Sequence, residues 1–156
     1  MFSTTTQILV TQLGIAFPRL SRSLDPSDVE LLGKVGDLRL LERGQDLVPP
    51  GGRLPGLTLV LAGRLVPSAA PASPPEHRWV VGTGDVLGIE TVLGRRPRHI
   101  SLRALEWSEV RVIDEASWAL LRERHPNIAV GFLRELALDL AAELSAVDST
   151  LERGGR

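Results

Sequence analysis

Residues Gly82 to Ser101 read GTGDVLGIETVLGRRPRHIS, and this stretch decides the fold. It joins a glycine-punctuated strand end to an arginine, Arg98, placed for a phosphate. Gly82-Thr-Gly84-Asp-Val-Leu-Gly88 also approximates the dinucleotide fingerprint, with one residue too many before the last glycine. That fingerprint requires a strand, a long helix opening at the glycines, and an acidic residue about 20 positions onward. Only the strand fits, because Gly94, Pro97 and the residues after them leave no room for a long helix.

On either side the chain is organised in short pieces. Asp25-Pro26-Ser27-Asp28 predicts a helix start, with Asp25 as cap, Pro26 at the first helical position and Asp28 near the positive helix end. Val29, Leu32 and Val35 follow at helical spacing, and Gly36 ends the helix. Short β-rich runs then alternate with glycine and proline: Leu38 to Leu41, Leu57 to Leu61, Arg64 to Val66, Arg78 to Val81, Ile100 to Ala104 and Glu109 to Ile113. Strands this short and evenly spaced predict a compact barrel or β-roll rather than alternating β-α units. The PSAAPASPP stretch from Pro67 to Pro75 reads as an exposed hairpin loop, since proline lacks the amide a central strand needs. After Ile113 the pattern turns helical: Asp114 caps a helix carrying Trp118 and Leu121, and Pro126 opens a second. Along the second, Leu133, Leu136, Leu140, Leu144, Val147 and Leu151 advance by three or four residues, a stripe that needs a partner surface.

Composition sets the limits. The 156 residues suit one domain, which at this size buries roughly 70% of its unfolded surface. There is no cysteine, so no disulfide. Eighteen basic and 19 acidic residues leave a formal charge of −1, which advertises neither nucleic acid nor an anionic membrane. All the basic residues except Lys34 are arginine, spread over the whole chain. Met1 to Phe17 lacks a basic start and is interrupted by Gln7, Thr11 and Gln12, making it a poor signal peptide and too short and polar to span a bilayer. A cytoplasmic protein without membrane partners is expected, with this segment a short helix or strand packed on the main domain, or a terminus without fixed place.

The order of helix, many short strands and two helices, from about Leu24 to Leu151, resembles cyclic nucleotide-binding domains, and residues 82–101 resemble their phosphate-binding cassette. That family's pattern runs Gly-Asp, Gly-Glu, then Pro-Arg and a closing triplet; Gly84-Asp85, Gly88, Pro97-Arg98 and His99-Ile100-Ser101 fall into the frame without a gap. Gly44, Gly63, Gly84 and Gly88 lie where its β-roll turns usually carry glycine. The resemblance implies a fold that is mostly β with flanking helices: a cyclic nucleotide-binding-like β-roll, or jelly roll, followed by a long C-terminal helix. It implies a phosphate site at Gly88, Arg98, His99 and Ser101, in which a guanidinium contact is joined by inward-turned amides from Gly88 to Thr91. The plainer reading is that Arg98 pairs with Glu90 or Asp85 at a vacated site. One position departs from the family. Where it places the glutamate that accepts the ribose hydroxyl, this chain has Ile89, with Glu90 one residue late. Loss of such a charge-assisted bond costs about 1.5 to 3 kcal/mol, and about 3 kcal/mol weakens affinity by roughly two orders of magnitude.

Other chemistry is less specific. His77, His99 and His125 lack metal-site spacing, so no metal is expected. A Ser101, His99 and Asp85 triad has no nucleophile elbow to support it. Arg95-Arg96 beside Arg98 forms a local basic patch, read as a solvated loop. Bacterial transcription factors of the family carry a helix-turn-helix after the long helix, for which the residues beyond Leu151 leave no room. The reading divides the chain into an N-terminal extension, 1–23; the cyclic nucleotide-binding-like domain, 24–151, with a dimer helix, 126–151; and a tail, 152–156. The expected function is a stand-alone, non-enzymatic regulatory or scaffold module. It is expected to be a homodimer through the stripe, to need no cofactor, to have no DNA-reading module, and to act on an unknown protein partner without binding cyclic nucleotide in the usual way. The alternative is a genuine cAMP or cGMP sensor that signals through its C-terminal helix.

Overall fold

Two prolines at helix starts and one terminal glycine organise the N-terminal third. The computed structural model describes residues 4–68, 80–95 and 100–154. Helices α1 (Thr4–Ala16), α2 (Pro18–Ser23) and α3 (Pro26–Lys34) come first, with Pro18 and Pro26 in the opening turns of α2 and α3. Asp25 occupies the cap position of α3, but its side chain makes no capping hydrogen bond. Its carbonyl serves instead, accepting from the Asp28 and Val29 amides. Gly36, at φ +76°, turns the chain out of α3 into the sheet.

Eight strands follow: β1 (Asp37–Leu41), β2 (Asp46–Val48), β3 (Leu57–Ala62), β4 (Arg64–Pro67), β5 (Val81–Gly82), β6 (Val86–Leu87), β7 (Leu102–Ala104) and β8 (Ser108–Ile113). A short helix, α4 (Ile89–Val92), separates β6 from β7, and α5 (Glu115–Arg124) and α6 (Pro126–Gly154) close the chain. The strands form two antiparallel four-stranded sheets, ordered β1-β8-β3-β6 and β2-β7-β4-β5. These are the antiparallel sheets with flanking helices and the long C-terminal helix that the sequence predicts.

The strands differ from expectation in detail. β2 and β6 are additional, and Arg78, expected in a strand, lies outside the described residues, as do 69–75 of the expected loop. Pro67 is not in a loop; it closes β4 opposite Leu102 of β7. The described β4–β5 pairs stop at Leu65, so among the described residues none on that side requires the amide that proline lacks.

The core has two parts divided by the first sheet. Alternation along β3 and β8 sends Leu57, Leu59, Leu61 and Ile113 toward the helices, and Val60, Val110 and Val112 toward the second sheet. On the helix side Trp118 of α5 meets Phe132 of α6 with ring centroids 6.0 Å apart and planes tilted by 56°. Asp114 caps α5 by accepting the Ser117 amide at 2.7 Å, and hydrogen bonds from the Ser117 side chain and amide hold its carboxyl below the usual range.

The described residues before Leu24 form α1 and α2 and belong to this core. Leu13, Ala16, Phe17 and Leu20 are buried beside Leu57, Leu59 and Phe132. The Gln12 side-chain amide donates to buried Glu109 of β8 at 3.0 Å. Leu13→Ala is therefore expected to destabilise the protein by about 2 to 5 kcal/mol, the usual cost of truncating a buried leucine. Urea denaturation measures it, and a loss below about 1 kcal/mol would place α1 outside the cooperative unit.

Candidate functional site

The cassette hangs on the sheet by a tight turn. β5 and β6 are joined through Thr83, Gly84 and Asp85, where Asp85 Oδ2 accepts the Gly82 amide at 2.7 Å and the Asp85 amide donates to the Gly82 carbonyl at 3.0 Å. β3 holds the same turn, because the Gly84 amide donates to Val60 O at 2.9 Å and the Val60 amide to Asp85 O at 3.0 Å. Gly84 has φ +91°, and a Cβ there would lie 2.8 Å from the Ala16 carbonyl oxygen, so the turn sits directly under the end of α1.

Gly88 is more constrained. Its φ is +76°, and an added Cβ would collide with the Gly56 carbonyl oxygen, where the cassette crosses the entry to β3. The chain then enters α4. Ile89, at the position of the expected ribose ligand, packs with Val92 and Val86 against the helix-side core. Glu90 and Ile89 both border a small cavity of about 90 Å³ with Gly88, Leu54, Leu87 and Ile100. The Glu90 carbonyl accepts from Leu93 and Arg95, which closes α4.

Arg98 and His99 lie outside the described residues, and with them the expected guanidinium contact. Ser101 is described: it is buried, and its hydroxyl has no hydrogen-bond partner among the described residues. The Ser68 hydroxyl at the end of β4 is likewise buried and unpartnered, and the two residues are tied by the Ser68 amide donating to Ser101 O at 3.0 Å. Ser68 carries no sequence signal, because only the β4–β7 pairing brings it beside Ser101.

On α6 the stripe divides. Ile128, Ala129, Phe132 and Leu136 are buried in this chain's own core, so Leu136, assigned by the sequence to a partner surface, already has an internal one. Leu140, Leu144 and Val147 are 44%, 67% and 55% exposed, and Leu133 is 38% exposed. The Leu151 side chain lies outside those described.

Sequence reasoning did not find a larger groove of about 720 Å³ that runs between α2, the Thr83–Asp85 turn and the middle of α6. Phe17, Leu20, Ile89, Leu136 and Leu140 line it. Arg19 spans it, paired with Glu135 at 3.7 Å and, more closely, with Asp139.

No family model and no curated protein matches the sequence. Solved structures match its fold. A cyclic nucleotide-binding domain from Methylobacillus flagellatus KT superposes with a TM-score of 0.70 at 21% identity, over 96% of this chain and 85% of that one. The Thermus thermophilus catabolite activator protein gives 0.63 at 24% identity, over 86% of this chain and 62% of that protein. A cAMP-binding acyltransferase from Mycobacterium smegmatis gives 0.61 at 23% identity, over 90% of this chain and 43% of the enzyme. The fold is that of cyclic nucleotide-binding domains. Among the described residues no helix is long and apolar enough to cross a membrane.

The two glycine turns make a matched test. Gly44 also has positive φ, +87°, but a Cβ there meets nothing within 4 Å. Gly44→Ala is expected to cost only the strain of its backbone conformation, about 1 kcal/mol. Gly88→Ala adds a collision with backbone and is expected to cost at least about 2 kcal/mol more. Equal melting of the two variants by circular dichroism would show that the crossing of Gly88 over Gly56 is not tight.

Proposed function

We propose that this protein, with the cyclic nucleotide-binding fold, is a non-enzymatic regulatory or scaffold module that does not take cyclic nucleotide in the usual way and acts through protein contacts. The observation that carries the reading is Ile89. An apolar side chain turned onto the helix-side core leaves the ribose position without the carboxylate the family uses, and an unpaired hydroxyl and a lost charge-assisted bond both oppose binding.

Paired α6 helices complete the proposal. Leu140, Leu144 and Val147 present an apolar strip to water, and a two-fold contact between identical helices is the commonest way for a soluble chain to bury one. A second reading, a cAMP or cGMP sensor signalling through α6, is favoured by the Ser101 and Ser68 hydroxyls, which have no partner among the described residues. Buried hydroxyls without partners are costly, and a ligand oxygen would satisfy them.

Melting with and without nucleotide separates the two readings. A ligand present at 100 times its dissociation constant stabilises by about 2.7 kcal/mol. The expected result with millimolar cAMP or cGMP is no shift, and Ile89→Glu is expected to gain affinity. Micromolar binding by the unaltered chain that disappears in Arg98→Ala would establish the sensor instead.

Assembly is tested by light scattering. The unaltered chain is expected to be dimeric, and Leu140→Asp with Leu144→Asp to give an earlier-melting monomer. A monomer at high micromolar concentration in the unaltered chain would remove the α6 pairing.

A further inference from the structure

We infer that the groove under α6 is a docking site for a basic amphipathic segment of a partner protein. The inference rests on the protein-contact reading and names the chemistry of the partner. Two features of the groove define the occupant. Its floor is apolar, made by Phe17, Leu20, Ile89 and Leu136, and its rim carries Asp85, Glu135, Asp139 and Glu143 against one cation among the described lining residues, Arg19.

That cation is committed. Arg19 reaches from α2 to Glu135 and Asp139, which pins α2 to α6. Glu143, one turn further along, has no partner among the described residues. Glu135 Oε2 is shut off from water yet accepts no hydrogen bond among the described residues; Arg19 Nε lies 3.7 Å away, too far to donate one. The groove thus keeps net negative charge and unused acceptor capacity above an apolar floor. A phosphate or carboxylate is repelled there. A purely apolar occupant would desolvate the carboxylates without pairing them, at a cost. A segment that interleaves apolar side chains with lysine or arginine answers both features.

Geometry favours an elongated occupant. Glu135, Asp139 and Glu143 are spaced four residues apart, so each step is about 6 Å and the row about 12 Å along α6, the spacing at which a docked helix presents basic residues at i, i+4 and i+8. A second copy of this chain is a poor occupant of this face, since it would set one acidic row against another. Of the exposed strip, Leu140 lines the groove and Leu144 and Val147 do not, so pairing through Leu144 and Val147 is compatible with an occupied groove.

The test uses the full chain and a fluorescent synthetic helix of leucine and lysine, with a counterpart carrying glutamate for lysine. Anisotropy is expected to show saturable binding of the lysine peptide alone. Affinity is expected to fall about tenfold in Glu143→Lys and to stay unchanged in Glu123→Lys, an exposed charge reversal on α5 outside the groove. Melting of both variants at the unaltered temperature shows that the fold is intact. No saturable binding, equal loss in both variants, or equal binding of the glutamate peptide overturns the groove assignment. So does loss of binding in Leu144→Asp without loss in Glu143→Lys, which puts the peptide on the leucine strip. If the peptide fails while light scattering still finds the dimer and nucleotide gives no shift, the protein-contact reading stands and only the groove falls.

Discussion

β3 and β8 are buried on both faces, and most of the molecule follows from that constraint. A strand with two dry faces needs a layer on each side, supplied here by the second sheet and by the helices. Any polar group on such a strand must also find a partner inside the protein. β8 carries two on its helix side. Glu109 accepts from Gln12 of α1. Arg111 donates to the carbonyls of Val35 and Gly36 where α3 ends, at 3.3 and 3.5 Å. Burial pushes the Arg111 guanidinium below its usual range, opposed by the nearby Glu109 and Asp37 carboxylates. These contacts locate α1 and the end of α3 against the sheet, where apolar packing alone would permit sliding.

The cassette depends on the same strands. β6 pairs with β3 at Thr58 and Leu59, and the turn before it exchanges hydrogen bonds with Val60. The segment that resembles a phosphate-binding cassette is thus an edge of the central sheet, with Gly88 pressed onto Gly56. Its next residues, Ile89 and Val92, enter the helix-side core that α6 also enters through Phe132 and Leu136. Cassette and C-terminal helix therefore share one packed layer. Whatever displaces Ile89 must disturb packing that α6 also uses, a mechanical link that requires no contact between a ligand and the helix itself.

Much of this was readable from residue order. Glycine and proline punctuation marked the longer strands, Asp114 marked the start of α5, and the turns expected at Gly44, Gly63, Gly84 and Gly88 all have positive φ. β2 and β6 were not readable, being three and two residues long, too short for an alternation to show. Ser101 was a candidate from the motif, while Ser68 was invisible because its significance lies in a cross-strand neighbour.

Local chemistry along the chain determined the order of elements, their turns, and the presence of apolar surface on α1 and α6. Those features depend on neighbours a few residues apart, through backbone conformation, capping and periodicity. Only the tertiary structure decided which apolar residues face inward. α1 carries apolar residues on several sides, and packing buried Leu13 and left Ile8 and Ile15 exposed. On α6 it buried Phe132 and Leu136 and left Leu140 and Leu144 in water. A broad apolar arc does not specify its own contact line; the sheet and the neighbouring helices select it. The acidic groove belongs to the same category, because Arg19 and Asp139 meet only when α2 and α6 pack on a common core.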